Sequence, residues 1–378
     1  MISSATERII DVIRGTGIDF FGLFPCEKMR HLYDIITKDY KHVTLSREEE
    51  GVGICAGASL AGAKPAMLIQ SSGIGNMINA LCSLTKVYRF PLPILASWRG
   101  VYKERIPAQV PLGRSLPKLF RALSIEYTLV RQKKDIALIP EVTTLAYRRN
   151  AIHVILLSPA IWGEESSKSQ NLGETAKQER SQIAASGRRD NPPPTLTRFE
   201  IIKAISSYIE NKVVVCNVGI PSKELYSAKH QQSNFYMLGS MGLASSIGLG
   251  ISLFTSREVV VIDGDGSLLT NLGALSTIAA ARPKNLSIFA VDNGVHGSTG
   301  NQPTATSLCV DLEATAKGLG FLKTCKAASR EEILSAIQSL GDGPNFVHLI
   351  AKPGNANVGD VPLSPLQIRR NVMQILMQ

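Results

Sequence analysis

A chain of 378 residues is too long for one ordinary core and predicts two domains of about 150 to 200 residues. With 44% hydrophobic and 19% charged residues it has the composition of a globular protein, which excludes a disordered or fibrous chain. A net charge of +10 raises nucleic acid as a partner, but Lys and Arg are scattered and no basic run is interleaved with aromatics. A solvated basic surface with an anionic small-molecule ligand, and no nucleic acid, is the expectation. Six cysteines (Cys26, Cys55, Cys82, Cys216, Cys309, Cys325) show no CxxC spacing and are expected to be reduced, in a cytoplasmic protein without a signal peptide.

In chain order, residues 4–14 read as an amphipathic helix stopped by Gly15 and Gly17. A strand at 18–24 ends at Pro25 and Cys26, and a helix follows from about Glu27. A strand at 43–45 and a long small-residue helix at 48–60 come next. Strands at 66–69, 94–97, 127–130 and 152–157 then alternate with helices at 77–87, 116–123 and up to about Arg149. Such alternation predicts an α/β fold, a doubly wound parallel sheet with crossover helices over residues 1–162. Residues 163–197 are polar, lack periodicity and end in three prolines, as a linker does. The pattern resumes over 198–378 with a helix from about Arg198 and strands at 213–216, 259–263, 286–291 and 346–350. Helices near Asp311 and Leu366 complete this second unit. Residues 235–256 carry no charge and are long enough to span a bilayer, but four glycines and five serines favour a helix buried against the sheet, so no membrane is expected.

Two stretches carry chemistry. Strand 259–262 and Asp263 lead into Gly264, Asp265 and Gly266, which turn the chain into a helix, while strand 286–291 leads into Asp292 and Asn293. Asp265 and Asn293 thus sit at the carboxyl ends of strands, the edge of an open parallel sheet where ligands bind. One carboxylate, one amide oxygen and a nearby helix start suit a hard divalent cation that clamps a diphosphate. An ordinary βα turn is the alternative, since GDG alone is common. In the first half, Glu48, Glu49 and Glu50 open a helix built from Gly and Ala. Acids there complement the helix dipole, and the small residues behind them let another backbone or a flat ligand come close.

Asp265 and Asn293 are 28 residues apart, which resembles the thiamin-diphosphate fingerprint, a GDG followed roughly 25 to 30 residues later by an Asn pair. Here Asp292 replaces the first Asn. The resemblance implies Mg²⁺ on Asp265, Asn293 and the Val295 carbonyl, and thiamine diphosphate as cofactor. It also implies a catalytic Glu on N1′ of the aminopyrimidine. Aligning from His42 and requiring Gly57 nine residues on selects Glu48, with Glu49 the runner-up. The remaining cofactor contacts that it implies are Pro25, Cys26, Asn76, Asn217, Gly219, Gly239, Ser240, Met241, Gly264, Gly266 and Ser267. Met241 matches the bulky apolar residue that props the bent cofactor, although plain core filling is its other reading.

Larger members of the family insert a third domain where this chain has only a tether. FPCEKMR, TLSREEEGVGICAGASLAG, NFYMLGSMGLASSIGLG and VDNGVHGSTGNQPT look like the small thiamin-diphosphate-dependent decarboxylases of sulfopyruvate and phosphonopyruvate. Residues 1–162 resemble their alpha chain, or pyrimidine-binding domain, and 198–378 their beta chain, or diphosphate-binding domain. The expected reaction is decarboxylation of 3-sulfopyruvate to sulfoacetaldehyde in coenzyme M synthesis. Phosphonopyruvate as substrate and a non-catalytic cofactor-binding subunit are the alternatives. In these enzymes one subunit's Glu-bearing domain faces another's diphosphate domain, so at least a homodimer is implied. Arg99, Lys103, Arg105, Gln109 and Arg114 share one stretch and are expected to hold the dianionic keto acid, helped by Ser298 and Thr299. His296 is the expected proton relay, or else a hydrogen-bonding surface residue.

Overall fold

A computed structural model describes residues 4–167 and 193–378. Most of the expected linker lies outside these residues. Its last part packs on the second domain: the Thr195 N–H donates to the Ala328 carbonyl, and Thr197 bridges Lys352.

The first sheet contains β1 (Phe20–Leu23), β2 (Lys41–Thr44), β3 (Pro65–Gln70), β4 (Leu92–Ser97), β5 (Glu126–Val130) and β6 (Ile152–Leu157). All are parallel, in the order β2-β1-β3-β4-β6-β5. The second contains β7 (Val213–Cys216), β8 (Asn234–Tyr236), β9 (Val259–Gly264) and β10 (Leu286–Asp292). After the small hairpin β11 (Val295–His296) and β12 (Gln302–Pro303), β13 (Lys323–Ala327) and β14 (Asn345–Ile350) complete it. Its order is β8-β7-β9-β10-β14-β13. Counted within each domain, both sheets run 2-1-3-4-6-5, so the architecture is duplicated. Strands β4, β6, β10 and β14 are buried along their whole length, as unbroken apolar runs are when helices cover both faces.

The helices of the first domain are α1 (Ser4–Arg14), α2 (Arg30–Asp39), α3 (Glu48–Leu60), α4 (Ile74–Ala80), α5 (Val110–Ala122) and α6 (Ile139–Arg149). Those of the second are α7 (Arg198–Ala204), α8 (Ile220–Lys229), α9 (Ala244–Ser252), α10 (Asp265–Thr270), α11 (Gly273–Ala281), α12 (Leu312–Gly318), α13 (Arg330–Gln338) and α14 (Pro365–Leu376). Residues 235–256 are not one helix. They form β8, a turn and then α9, because Ser240 (φ 59°) and Gly242 (φ 92°) adopt left-handed backbone that no helix continues through. The helix expected at 77–87 is α4 followed by a π-helical turn over Leu81–Lys86. Among the described residues no helix is long and apolar enough to cross a membrane.

The two domains meet where α3 lies along α9. Both helices are buried almost all round, which removes any need for an amphipathic stripe. A Cβ on Gly57 would stand 2.1 Å from the Ile247 carbonyl oxygen, and one on Gly250 would stand 2.0 Å from that of Ile54. Gly53 lies against Leu243 and Ser246, so the helices run in the same sense and their starts share one end of the contact. Forcing a methyl between two backbones strains both, so Gly57→Ala should cost about 3 kcal/mol or more. The urea midpoint measures it, and an unchanged midpoint would mean that the helices part in solution.

Candidate functional site

In the second domain the strand order reverses between β7 and β9, the crevice where open α/β sheets bind ligands. Asn217 follows β7 and Gly264 ends β9. A Cβ on Gly264 would lie 3.4 Å from Asn217 Nδ2, and one on Gly219 (φ 88°) would lie 3.3 Å from Ser298 Oγ. A Cβ on Gly266 would collide with the His296 ring, 2.6 Å from Cε1. Asn217, Gly219, Gly264, Gly266, His296 and Ser298 therefore converge. Thr299 does not join them with a spare hydroxyl: its Oγ1 donates to Gln302 Oε1 at 2.8 Å within the hairpin turn.

The turn before α9 is tied to this crevice. The Gly242 N–H donates to Ser267 Oγ at 3.0 Å, and Asn271 Nδ2 donates to the Gly242 carbonyl at 3.1 Å. Ser267 thus holds the turn. Ser240 Oγ lies 2.6 Å from Ser83 Oγ, and a Cβ on Gly239 would come within 2.9 Å of the Ser83 carbonyl, so the turn also leans on the first domain. Met241 projects from it, 40% exposed, which discards core filling as its role.

Asp265 is buried at the start of α10, where its Oδ2 accepts from Thr304 Oγ1 (2.5 Å) and Thr306 Oγ1 (3.2 Å). Burial pushes its carboxyl above the usual range, and the nearby Asp292 charge adds to this against the two threonine donors. Asp292 Oδ1 accepts from the same Thr306 hydroxyl at 2.7 Å, and its Oδ2 lies 2.9 Å from His348 Nε2. His348 is fully buried. Burial alone would lower its pKa, but the Asp292 and Asp311 carboxylates on either side outweigh that and raise it. Asp311 in turn accepts from Lys326 Nζ at 2.6 Å. Sequence reasoning missed Thr304, Thr306 and His348, which carry no local signal.

Among the described residues no cation faces Asp265 itself. Asn293 is buried, with Oδ1 accepting the Val295 N–H at 3.3 Å and Nδ2 lacking any partner; the Val295 carbonyl already accepts the Gly297 N–H at 3.0 Å. Among the described residues no three His, Cys, Asp or Glu side chains gather to hold a metal by themselves. A buried carboxylate with no cation facing it, at the end of a strand paired with the one that leads into Asn293 and Val295, fits a hard cation that completes its shell with non-protein oxygens.

In the first domain the corresponding crevice lies between β1 and β3. Glu48 opens α3 in a buried position, accepting from Asn76 Nδ2 at 3.0 Å through Oε2. A Cβ on Gly73 would fall 2.1 Å from Glu48 Oε1, so only glycine leaves room for that carboxylate. Glu49 instead pairs with Arg47 at 3.5 Å. Glu50, fully buried, accepts from Thr277 Oγ1 of the second domain at 2.8 Å, and burial raises its pKa.

Pro25 and Cys26 follow β1. Cys26 Sγ contacts Ser97 Oγ (2.9 Å) and Gln70 Oε1 (3.4 Å). Arg99 is not a spare anion donor: its Nε and Nη2 grip Glu104 at 2.7 and 2.9 Å, and its Nη1 donates to Gln70 at 3.1 Å. That grip holds the Glu104 carboxyl down at about 2. Arg99, Lys103 and Arg105 line one cavity of about 530 Å³ together with Lys28, Tyr102 and Glu104. Gln109 and Arg114 are not among its lining; Gln109 Oε1 is buried without a partner and Arg114 is exposed on α5.

Residues 3–116 match the family described as thiamine pyrophosphate enzyme, N-terminal TPP binding domain, and residues 217–349 its C-terminal TPP binding domain. A sulfopyruvate decarboxylase of Methanosarcina acetivorans is 42% identical over 98% of this chain and 97% of its own. A phosphonopyruvate decarboxylase of Streptomyces viridochromogenes is 32% identical over 95% of this chain and 91% of its own. In Methanococcus maripaludis the similarity is split. A sulfopyruvate decarboxylase subunit beta is 43% identical over 48% of this chain and 98% of its own, and a subunit alpha 38% over 42% and 97%. With both cofactor-binding halves in one chain and full-length similarity to such enzymes, the chain belongs to the thiamine pyrophosphate-dependent decarboxylase family, as a fusion of what occurs elsewhere as two subunits.

Proposed function

We propose that the chain catalyses the thiamine diphosphate- and Mg²⁺-dependent decarboxylation of 3-sulfopyruvate to sulfoacetaldehyde and CO2. The observation that carries this reading is Glu48, a carboxylate buried at the start of α3 whose one hydrogen bond among the described residues comes from Asn76. Oε1 is left to accept from the aminopyrimidine. Bound thiamine diphosphate supplies the nucleophilic carbon and the electron sink, which no side chain offers. Asp265, Asn293 and the Val295 carbonyl would hold Mg²⁺ against the diphosphate. The crevice at Asn217, Gly219, Gly264 and Gly266 would receive that diphosphate, and Met241 would support the rings.

Lys28, Arg99, Lys103 and Arg105 line one cavity, and a lining rich in ammonium and guanidinium groups suits a dianionic keto acid. Ser298, across from Gly219, adds a hydroxyl, and His296 over the Gly266 turn moves the proton that the product carbon takes up. Met241 and Leu238, 40% and 43% exposed, leave apolar surface for the cofactor and a second chain to cover, in keeping with a homo-oligomer of at least two chains. Six free cysteines suit a cytoplasmic setting, and coenzyme M synthesis is the expected pathway.

Glu48→Gln should lower kcat about 10²- to 10⁴-fold while thiamine diphosphate still binds, read by calorimetric titration. Unchanged turnover would assign a non-catalytic role. Assays of both keto acids decide the substrate, a higher kcat/KM for phosphonopyruvate overturning the assignment. Replacing Lys103 and Arg105 together by Gln should raise KM more than it lowers kcat.

Because Glu104 is depressed in the folded chain, its pair with Arg99 is fully present above the ordinary value of 4.5 and lost as pH falls towards about 2. Glu104→Gln should therefore flatten the acid limb of a stability profile between those values. Parallel profiles for the two proteins would mean that the pair is open in solution.

A further inference from the structure

Where α14 crosses the first domain, Arg89, Arg149, Arg369 and Arg370 line a cavity of about 420 Å³ with Leu366 and Met373 on its apolar side. An adjoining cavity of about 250 Å³ shares Arg89 and Arg149 and adds Lys86. None of these residues belongs to the crevices around Glu48 or Asp265. Five basic side chains converge, yet the charge is poorly compensated. Arg149 has a carboxylate, Glu126 Oε1 at 2.8 Å. Arg89 and Arg370 have no ion pair among the described residues.

Arg369 is built in rather than splayed into water. Its Nη1 donates to the carbonyls of Tyr88 and Arg89, its Nη2 donates to Asn150 Oδ1 at 2.6 Å, and its guanidinium lies 5.3 Å from the Phe90 ring centre. All of these partners are neutral, and its Nε is buried with no acceptor at all. Arg89, at φ 54°, is the left-handed cap that ends the preceding helix, with the Phe90 N–H donating to the Thr85 carbonyl at 2.9 Å, so its backbone is fixed at the rim of the cavity. Arg369 is half-buried while Lys86, Arg89, Arg149 and Arg370 are exposed around it; like charges gathered at one cavity repel, and a bound oxyanion with several acceptor oxygens relieves that while matching the guanidinium forks.

We propose that this cavity binds a phosphate-class oxyanion, with Arg89, Arg369 and Arg370 as donors and Leu366 and Met373 against any organic body attached to it. One residue joins this site to the turn before α9 by hydrogen bonds. Tyr88, next to Arg89, donates its hydroxyl to the Tyr236 carbonyl at 2.7 Å and accepts the Leu238 N–H at 3.0 Å, so it grips the start of the turn that carries Met241.

The test is calorimetric titration of the full chain, saturated with thiamine diphosphate and Mg²⁺, with inorganic phosphate and separately with AMP. Saturable binding should weaken roughly tenfold or more in Arg89→Gln/Arg370→Gln and persist in Lys103→Gln/Arg105→Gln, which alters only the substrate cavity. Tighter binding of AMP than of phosphate would assign an organic phosphate, and equal binding free phosphate. No saturable binding overturns the proposal, and so does binding that the substrate-cavity variant loses while the arginine variant keeps it. Circular dichroism of the arginine variant confirms that a lost signal is not lost folding.

Discussion

The contact between the backbones of α3 and α9 is the constraint on which the rest depends. Each helix offers the other a glycine, Gly57 and Gly250, at a point where a single methyl would overlap a carbonyl oxygen. No side chain cushions the approach, so the relative position of the two sheets is set by main-chain atoms. The helix starts at one end of this contact carry Glu48 and the turn that presents Met241. Ser83 with Ser240, Tyr88 with Tyr236 and Glu50 with Thr277 fasten the same junction with polar bonds. Such rigidity matters because a displacement of about 1 Å in a reacting geometry can cost on the order of 10²-fold in rate.

Electrostatics around Asp265 follow from one departure from the family pattern. An amide at position 292 would add no charge beside Asp265, whereas Asp292 adds a second buried carboxylate. The chain answers it with His348, itself held between Asp292 and Asp311, and with Lys326 beyond. Thr306 shares its hydroxyl between Asp265 and Asp292 and fixes their relative orientation. The extra acid is therefore absorbed by residues of the neighbouring strands, and Asp265 is left, among the described residues, with hydroxyl donors and no positive neighbour.

Elements defined by local composition were legible in the sequence. Helix α3, with acids at its start and only small or apolar residues behind, has the bounds that its composition implied, and so do β6 and β7 with their unbroken apolar runs. Residues 235–256 misled because freedom from charge reports burial, and burial is common to a strand, a glycine turn and a helix. Strand β13 and helix α13 were missed: KTCKA alternates charge with small residues at a sheet edge and lacks the apolar run that marks a central strand. In the site, the placement of Asp265 and Asn293 just past strand ends was legible because each follows an unbroken apolar run. The pairing of Arg99 with Glu104 was not, because nothing local distinguishes a buried ion pair from two solvated charges five residues apart. His348 lies 56 residues from Asp292, and only the sheet order makes them neighbours.

The duplicated strand order bears on why this chain exists as one piece. Each half closes its own six-stranded sheet, so neither borrows a strand from the other and a break between them would leave two complete folding units. Separate polypeptides of that kind must find each other by diffusion, and at low copy number the encounter limits how many finished assemblies exist. Covalent joining replaces that search with an effective local concentration in the millimolar range. It also fixes the stoichiometry at one to one, so every translated molecule brings both halves of the reaction cleft in equal measure, however dilute the cell keeps it.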